Sequence, residues 1–420
     1  MVSSNNWDWD TGEKIIPVDE WKGRYNWVEE PYVSPDGEKV AAIVNVAEGE
    51  FSVCVNGETW EKSFDKIWFL RFSPDGRATA LVSEEGEWTL AVDGSPWENR
   101  FGYAWNTMFS QDGKYIAVAV QQDMTYGIAL NDVLWEDTYA NMSNMTMSAD
   151  GKTTAAAVQA SDFSEGEIFK FQEGAFTVAV DGKPWGNSFV NVWNIAIHPE
   201  DKTVAAEVRL NLYDYTIAVN DVPWGSTFGC VWEPIFHPKN GSVIVPVRVD
   251  GEWALAEDGE IIWDKKFVQL WQQMFSPDGN KIAAIVAPKF GKWTIAVDGQ
   301  PWKILFSDMV TDAVFSPDSQ RVAVVVKEKD EWTVAVNGKV WKNSYDMAWK
   351  PVFSPNGEHV AAKVERKGRY TIAYDDRLWT HECDALWEPV FNMDGSKVLI
   401  RSVENGNYYR RVIPVNDLLQ

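Results

Sequence analysis

Short apolar runs recur along the whole chain, and turn residues separate them. The clearest stretch, residues 271–306, reads WQQMFSPDGNKIAAIVAPKFGKWTIAVDGQPWKILF and contains four such runs. Short runs rich in β-branched and aromatic residues, without helical periodicity, predict strands. Asp298-Gly299 between two runs predicts a type I′ hairpin, because both central residues of that turn need positive φ. The stretch therefore predicts four antiparallel strands, a to d.

This four-stranded unit occurs ten times. The turn between strands a and b has the pattern S-x-D-G, or a variant of it, and begins at Ser34, Ser73, Ser110, Ser148, His198, His237, Ser276, Ser316, Ser354 and Asn392. Successive turns lie 37 to 40 residues apart, except for one interval of 50. A single unit cannot bury both of its faces, whereas radial stacking of units can. The repeat predicts an all-β fold, a β-propeller of four-stranded antiparallel blades.

The ends of the chain favour a single ten-bladed ring. Residues 20–25, EWKGRY, resemble a strand d but precede the first strand a, and the last unit ends after its strand c. We therefore expect residues 20–25 to complete the last blade, with residues 1–19 as a preceding segment and the propeller at residues 20–420. Two five-bladed rings, the alternative, would need a second such seam in the middle of the chain, where the sequence has none.

The repeat accounts for most of the 24 tryptophans. Ten of them follow the c–d turn and seven open strand a. Four open strand c, where other units have Phe or Tyr, such as Tyr409 in the last unit. Large flat side chains that recur once per blade are expected to pack one blade against the next. Trp7, Trp9 and Trp27 lie outside these positions.

Charge and composition narrow the choice of function. The 38 Lys and Arg residues against 62 Asp and Glu residues give a net charge of −24, which disfavours nucleic acid and anionic lipid as partners. No segment has the length and apolar character of a membrane span or a signal peptide. Three widely spaced cysteines, Cys54, Cys230 and Cys383, predict neither a disulfide framework nor a metal site. We expect a cytoplasmic protein without direct membrane insertion.

No pattern of residues predicts catalysis, a cofactor or a metal. The few histidines and cysteines occupy repeat positions; His198 and His237, for example, replace the serine of the a–b turn. Many Asp residues belong to turns, where Asp before Gly tolerates positive φ. A hydrolase or lyase would need these two histidines, or a set of carboxylates, to meet on one face. We therefore predict a non-catalytic protein that uses no cofactor.

Unit four departs from the repeat in two places. Its b–c connection carries an insertion at about residues 161–174, SDFSEGEIFKFQEG, and its strand a has Ser143 where most units have Trp. Methionines and loop aromatic residues are common at contact surfaces. The predicted partner-binding residues are Phe163, Ile168, Phe169, Phe171, Met142 and Met145, together with Trp7 and Trp9 of the N-terminal segment. A tolerated surface insertion is the alternative.

Two features of the repeat resemble known families. The phrase F-S-P-[DN]-G followed by [IV]-A-A-x-V, at residues 275–286 and 353–364, resembles WD40-like and TolB-like propeller repeats. The regular tryptophans, as in EWTVAVNGKVWKNSY at residues 331–345, resemble the tryptophan-rich subunit of Tmc-type transmembrane electron-transfer complexes. The second resemblance implies a cytoplasmic accessory subunit, without a redox centre of its own, beside cytochrome, iron–sulfur and membrane subunits.

We predict a protein-interaction scaffold, an accessory subunit of a membrane-associated electron-transfer complex. Its partners would be redox subunits with a basic face, because an acidic surface attracts such a face. The alternative is a small-ligand or carbohydrate-binding propeller that uses tryptophans at the mouth of the central channel.

Overall fold

The structure, a computed structural model, describes residues 7–161 and 168–419. These residues form ten antiparallel sheets, in which consecutive strands of the chain lie side by side. Each sheet is one blade, and in blades 1 to 9 the strands a to d follow chain order. The predicted all-β, ten-bladed propeller is therefore confirmed.

The strands are given blade by blade. Strands a are Trp27–Val28 with Tyr32–Val33, Lys66–Phe72, Tyr103–Phe109, Met142–Met147, Asn191–Ile197, Ile235–Phe236, Gln269–Phe275, Met309–Phe315, Met347–Ala348 with Val352–Phe353, and Ala385–Leu386 with Val390–Phe391. Strands b are Val40–Ala47, Ala78–Glu84, Ile116–Gln122, Thr154–Gln159, Val204–Arg209, Val243–Val249, Ile282–Lys289, Val322–Glu328, Val360–Arg366 and Lys397–Glu404.

The outer half of each blade consists of strands c and d. Strands c are Glu50–Val55, Glu87–Val92, Thr125–Leu130, Phe176–Val180, Tyr215–Val219, Glu252–Glu257, Lys292–Val297, Glu331–Val336, Arg369–Tyr374 and Asn407–Pro414. Strands d of blades 1 to 9 are Glu58–Thr59, Ser95–Pro96, Val133–Leu134, Lys183–Pro184, Val222–Pro223, Glu260–Ile261, Gln300–Pro301, Lys339–Val340 and Arg377–Leu378. The helices of the described residues are short: Val18–Glu20, Trp21–Arg24, Ile168–Gly174 and Val415–Leu419.

Turn chemistry fixes the register of the strands. In blade 7, Ser276 Oγ donates to Asp278 Oδ1 at 2.6 Å and accepts from the Lys281 amide at 3.0 Å, which closes the a–b turn. At the c–d turn, Asp298 and Gly299 have φ values of 48° and 75°. The predicted type I′ hairpin is therefore confirmed.

Proline divides strand a in several blades. Blades 1, 9 and 10 carry Pro31, Pro351 and Pro389 at the same repeat position, and their strands a consist of two short pieces. Pro234 occupies this position in blade 6, whose strand a is only two residues long. Proline has no N–H to donate to a neighbouring strand, so pairing stops there.

The contacts at the ring boundaries establish a single ring. Blade 5 packs directly on blade 6, because Ala205 and Ile217 share a core cluster with Val231 and Val243. Blade 10 meets blade 1, where Arg410 Nε donates to the Asp36 carbonyl at 2.9 Å. Two five-bladed rings would instead join blade 5 to blade 1 and blade 10 to blade 6.

The strand that completes blade 10 differs from our prediction. Residues Gly12–Ile16 pair antiparallel with strand c of blade 10, with Gly12 opposite Val412 and Ile16 opposite Tyr408. The predicted strand at residues 20–25 is wrong, because Trp21–Arg24 is a helical turn. The residues assigned to a preceding N-terminal segment therefore contain the closing strand.

The resemblance of residues 20–25 to a strand d still has a physical basis. Trp21, only 1% exposed, packs with Ala42 of blade 1 and Tyr408 of blade 10. In the other blades, the tryptophan after the c–d turn packs in the same way on the next blade. Trp60, for example, lies under Gly94 of blade 2, where an added Cβ would come within 2.9 Å of the indole. The seam therefore has the same kind of tryptophan contact as the other blade boundaries, although Trp21 lies in a helical turn.

Candidate binding surface on the inner strands

Strands a form the inner wall of the ring, because strands a of neighbouring blades contact one another. Their tryptophans contact the strand-c aromatic residue of the same blade, in most pairs edge to face or tilted. The pairs, with their centroid distances, are Trp68–Trp88 (5.2 Å), Trp105–Tyr126 (5.9 Å), Trp193–Tyr215 (5.9 Å), Trp232–Trp253 (4.8 Å), Trp271–Trp293 (4.7 Å), Trp349–Tyr370 (5.7 Å) and Trp387–Tyr408 (6.2 Å). The expected packing of blade against blade is confirmed for Trp105, Trp271 and Trp387, which also pack on core clusters shared with blades 4, 8 and 1. In blade 10 the partner is Tyr408 and not Tyr409.

Five side chains on strands a of blades 1 to 3 make an exposed surface, which we call the aromatic patch: Tyr32, Trp68, Phe69, Arg71 and Tyr103. Trp68 meets Tyr103 edge to face across the blade boundary, with centroids 5.7 Å apart. The Arg71 guanidinium lies 4.9 Å from the centroid of the Phe69 ring. Trp68, Phe69 and Tyr103 are 41%, 43% and 38% exposed. Large aromatic faces are thus available to a partner at one sector of the ring.

Phe69 departs from the repeat. At its position, four residues before the a–b turn, the other blades have Glu30, Asn106, Asn144, Asn194, Glu233, Gln272, Asp312, Lys350 and Glu388. The Phe69 backbone has a φ of 56° at a β-bulge between Trp68 and Arg71. Asn and Asp tolerate this left-handed conformation, whereas it strains a bulky side chain. Backbone strain of this kind clusters at functional sites, so Phe69 marks the aromatic patch as a candidate site.

Charged groups surround one edge of the aromatic patch. Partial burial, and then the carboxylates of Glu29 and Glu30, raise the pKa of Tyr32, whereas Arg71 lowers it. These charges therefore lie close to the phenol. Arg71 Nη1 also donates to the Thr107 carbonyl of blade 3 at 3.2 Å. This bond fixes the guanidinium across the boundary between blades 2 and 3.

A second departure from the repeat lies on strand b. At one position, nine residues after the start of the turn in most blades, seven blades carry apolar residues: Ile43, Leu81, Ala119, Ala157, Pro246, Ile285 and Val325. Blades 5, 9 and 10 carry Glu207, Lys363 and Arg401 instead. None of these three residues was predicted from the sequence, although a charge in an otherwise apolar repeat position is visible when the ten units are aligned.

Each of these charges has partners in the structure. Glu207 Oε2 accepts from Asn194 Nδ2 at 2.9 Å. The Lys363 ammonium lies 4.3 Å and 4.6 Å from the ring centroids of Trp349 and Tyr370. Arg401 donates to the carbonyl of Pro35, at 3.0 Å, and so links blade 10 to blade 1. Buried charges persist only with such compensation.

Glu207 carries the most strongly perturbed carboxylate of this group. Burial raises its pKa to about 7, hydrogen bonds from Asn194 lower it, and the nearby Glu233 carboxylate raises it further. The side chain therefore exchanges its proton near neutral pH, at the inner boundary of blades 5 and 6. A carboxylate with such a pKa can respond to pH.

The predicted contact residues of unit four separate into two groups. Met142 is buried between blades 3 and 4, and Met145 packs on the same cluster, so the prediction of a surface role for Met142 is wrong. Part of the insertion forms the helix Ile168–Gly174, from which Phe169 projects with 77% exposure. Phe171 is half-buried and meets Phe176 edge to face at 6.4 Å. Phe163 and the side chain of Ile168 lie outside the described residues.

The N-terminal segment packs on blade 10. Trp7 and Trp9 stack on each other with centroids 6.2 Å apart, and both are partly exposed. Lys397 Nζ donates to the Trp9 carbonyl at 2.6 Å, and Arg410 Nη2 to the Asp8 carbonyl at 2.5 Å. These bonds hold the segment in place beside the closing strand. A partner contact by Trp7 and Trp9 stays a prediction.

The thiols and imidazoles of the repeat have structural surroundings. Burial is the largest influence on all three cysteines and raises their pKa, that of Cys383 to about 12. Protonated thiols are poor nucleophiles. His198 Nδ1 accepts from the Asp201 amide at 3.3 Å, and His237 Nδ1 from the Lys239 amide at 3.1 Å. Each histidine thus takes over the turn-closing role of the serine that it replaces.

Two kinds of site are absent from the described residues, a metal site and a membrane-spanning helix. Within them, no group of three or more His, Cys, Asp or Glu side chains is placed to hold a metal ion. No helix in the same part of the chain combines the length and apolar character needed to cross a membrane.

The fold and its surface define the class of protein: a ten-bladed β-propeller, a repeat fold that commonly serves as a protein-interaction scaffold. No protein family and no curated protein matches the sequence.

Solved structures that resemble the chain include a crystal structure of the eukaryotic initiation factor, with 12% identity and a TM-score of 0.49 over 84% of this chain and 96% of that one. TolB from Acinetobacter baumannii is 14% identical, with a TM-score of 0.28 over 58% of this chain and 61% of TolB. A putative TolB from Agrobacterium tumefaciens is 16% identical, with a TM-score of 0.27 over 45% and 74%. With TM-scores below 0.5, these likenesses support no conclusion about this protein.

Proposed function

We propose that this protein is a non-catalytic docking platform that binds a partner protein through the aromatic patch. The exposed, strained Phe69 carries this proposal, because each of the other nine blades has a polar residue at the equivalent position. Trp, Tyr and Arg dominate the binding energy of protein interfaces, and Trp68, Tyr103 and Arg71 flank Phe69. A rigid ring of strands holds these side chains in place before binding, which lowers the entropic cost of association.

Charge determines the kind of partner. The net charge of −24, with Glu29 and Glu30 beside the aromatic patch, favours a partner with a basic face. In line with the resemblance of its tryptophan repeat, we propose an accessory role in a membrane-associated electron-transfer complex, with the protein on the cytoplasmic side. Redox subunits of that complex would carry the basic face.

Exposed aromatic rings also favour a second function, carbohydrate binding. Trp68 and Tyr103 offer ring faces on which sugars stack, beside the hydrogen-bonding Arg71. This function predicts that a panel of glycans shifts or quenches tryptophan emission. If no glycan changes the tryptophan emission, protein binding remains the proposed function of the aromatic patch.

A native pull-down tests the protein-binding proposal. The tagged full chain is incubated with a lysate of its source at roughly 0.05 M and 0.5 M salt, and captured proteins are identified by mass spectrometry. We expect cytochrome or iron–sulfur subunits with a basic face, and less capture at high salt because surface charges are screened. Capture that does not change with salt, or capture of no protein above the bead control, would contradict the proposal.

A further inference from the structure

A cavity of about 470 Å³ opens between blades 9 and 10, away from the aromatic patch. Its lining includes His359, Asp375, Arg377, Gly395, Ser396 and Asn416. The last of these belongs to the helix Val415–Leu419, which packs on the outer part of the two blades. The volume lies in the range of small-molecule sites.

At the corresponding boundary of three other blades, a longer side chain makes a hydrogen bond that blade 9 lacks. In blades 1, 2 and 7, a lysine or arginine at the start of strand b reaches the turn carbonyl of the next blade. These bonds are Lys39 Nζ to Gly76 O (2.9 Å), Arg77 Nη2 to Gly113 O (2.5 Å) and Lys281 Nζ to Ser319 O (2.9 Å). Blade 9 has the shorter His359 at this position.

His359 does not replace the missing donor. Its Nδ1 lies 2.5 Å from Asp375 Oδ2, and its ring stacks on Tyr374 with centroids 5.3 Å apart. In the described part of the chain, no group donates to the Gly395 carbonyl, the equivalent of Gly76 O in blade 2. The substitution therefore leaves an open space with an available acceptor.

The residues that line this cavity carry both acceptors and donors. The acceptors include the Gly395 carbonyl, the Asp375 carboxylate and His359 Nε2, since an imidazole that donates from Nδ1 accepts at Nε2 when neutral. The donors are the Arg377 guanidinium, the Asn416 amide and the Ser396 hydroxyl. Arg377 is exposed, and its guanidinium has no hydrogen bond or ion pair with any described residue, although the protein is strongly acidic.

We propose that this cavity binds a small zwitterion of the free amino acid class. The ammonium group of the ligand takes the place of the lysine that blade 9 lacks and donates to Gly395 O and His359 Nε2. The carboxylate accepts from the Arg377 guanidinium, which recognises carboxylates in a planar, bidentate manner. Asn416 and Ser396 donate to the same carboxylate.

The test measures binding of the twenty L-amino acids to the full chain, by thermal shift and then by titration calorimetry. Propionate and propylamine, each of which carries one of the two charges, serve as control ligands. We expect at least one amino acid to bind with a Kd below about 1 mM, and both control ligands to bind at least tenfold more weakly.

Two variants test whether the amino acid binds in this cavity. His359→Lys introduces the side chain that blades 1 and 7 carry at this position, so it is expected to fold and to fill the site, and Arg377→Gln removes the carboxylate partner. Each is expected to weaken binding at least tenfold. Arg366→Gln, which removes an exposed arginine of the same blade outside the cavity, serves as the matched control and is expected to bind like the unaltered protein.

Three results would overturn this proposal. They are the failure of all twenty amino acids to bind, equal binding of propionate or propylamine, and retained binding in folded His359→Lys. Binding at the aromatic patch is measured separately, so either proposal can fail without the other.

Discussion

At the scale of single residues, the chain departs from its own repeat where it places Phe69 on strand a and Glu207 on strand b. Phe69 is exposed and adopts a conformation that its polar counterparts tolerate better. Glu207 is buried at a position where seven of the ten blades have apolar side chains. Neither change improves the packing of the repeat, so both are expected to have measurable consequences.

Glu207 predicts a pH dependence of stability. Its folded-state pKa is raised from 4.5 to about 7, so its contribution to stability is complete below about pH 4.5 and is lost as the pH rises through 7. Glu207→Gln stays neutral and can still accept from Asn194. At pH 8 we expect the variant to have a higher melting temperature than the unaltered protein and a free energy of unfolding that is larger by up to about 3 kcal/mol. At pH 5 we expect the two proteins to be equally stable. Equal melting temperatures at pH 8 would contradict this assignment.

At the scale of elements, the seam is the place where the chain differs most from our prediction. The sequence of residues 20–25 resembles a strand d because Trp21 occupies the tryptophan position of blade 10. The pairing itself comes from Gly12–Ile16, which contains no tryptophan. The blade count could be predicted because turn residues determine each hairpin locally. The closing strand could not, because its partner strand lies some 400 residues away and local pattern does not encode such a pairing.

The seam gives a prediction with a matched control. Trp21→Ala empties a site that is 1% exposed, whereas Trp27→Ala removes a side chain that is 50% exposed. We expect Trp21→Ala to destabilise the protein by about 3–5 kcal/mol and Trp27→Ala by less than about 1 kcal/mol. Thermal or denaturant unfolding measures the difference. Equal effects of the two variants would contradict the role of Trp21 at the seam.

The helix of blade 4 is the second candidate contact. Phe169 is 77% exposed, so we expect Phe169→Ser to leave the melting temperature unchanged and to weaken capture of the partner. Phe290→Ser, a change at another exposed phenylalanine that is 93% exposed, is the control. Unchanged capture by Phe169→Ser would show that the predicted site in unit four is wrong.

The two candidate surfaces could be predicted from the sequence to different extents. Phe169 could be predicted because an insertion is visible as a longer interval between turns. The role of Met142 could not, since a methionine fills a core gap as readily as it covers a surface. The aromatic patch was missed because its tryptophan belongs to the repeat. Phe69 in a polar repeat position was a signal in the sequence, but its exposure and strained backbone come only from the structure.

At the scale of the whole molecule, ten blades form one ring closed by polar contacts at its seam. Tyr408 donates to the Gly37 carbonyl at 2.7 Å, and the neighbouring Arg401 and Arg410 bond to blade 1 in the same way. The ring thus presents a fixed sector of aromatic side chains on a strongly acidic body. Such a body favours rapid encounter with a basic partner, and the aromatic patch supplies the short-range contacts.

The central claim is that Phe69 and its neighbours bind the partner. The direct measurement is the affinity of the partner identified by pull-down for Phe69→Asn, which restores the polar residue of the repeat, and for Phe290→Asn as a control. We expect Phe69→Asn to fold with equal or higher stability and to bind at least tenfold more weakly, while Phe290→Asn binds like the unaltered protein. Unchanged affinity of Phe69→Asn would show that Phe69 does not contact the partner.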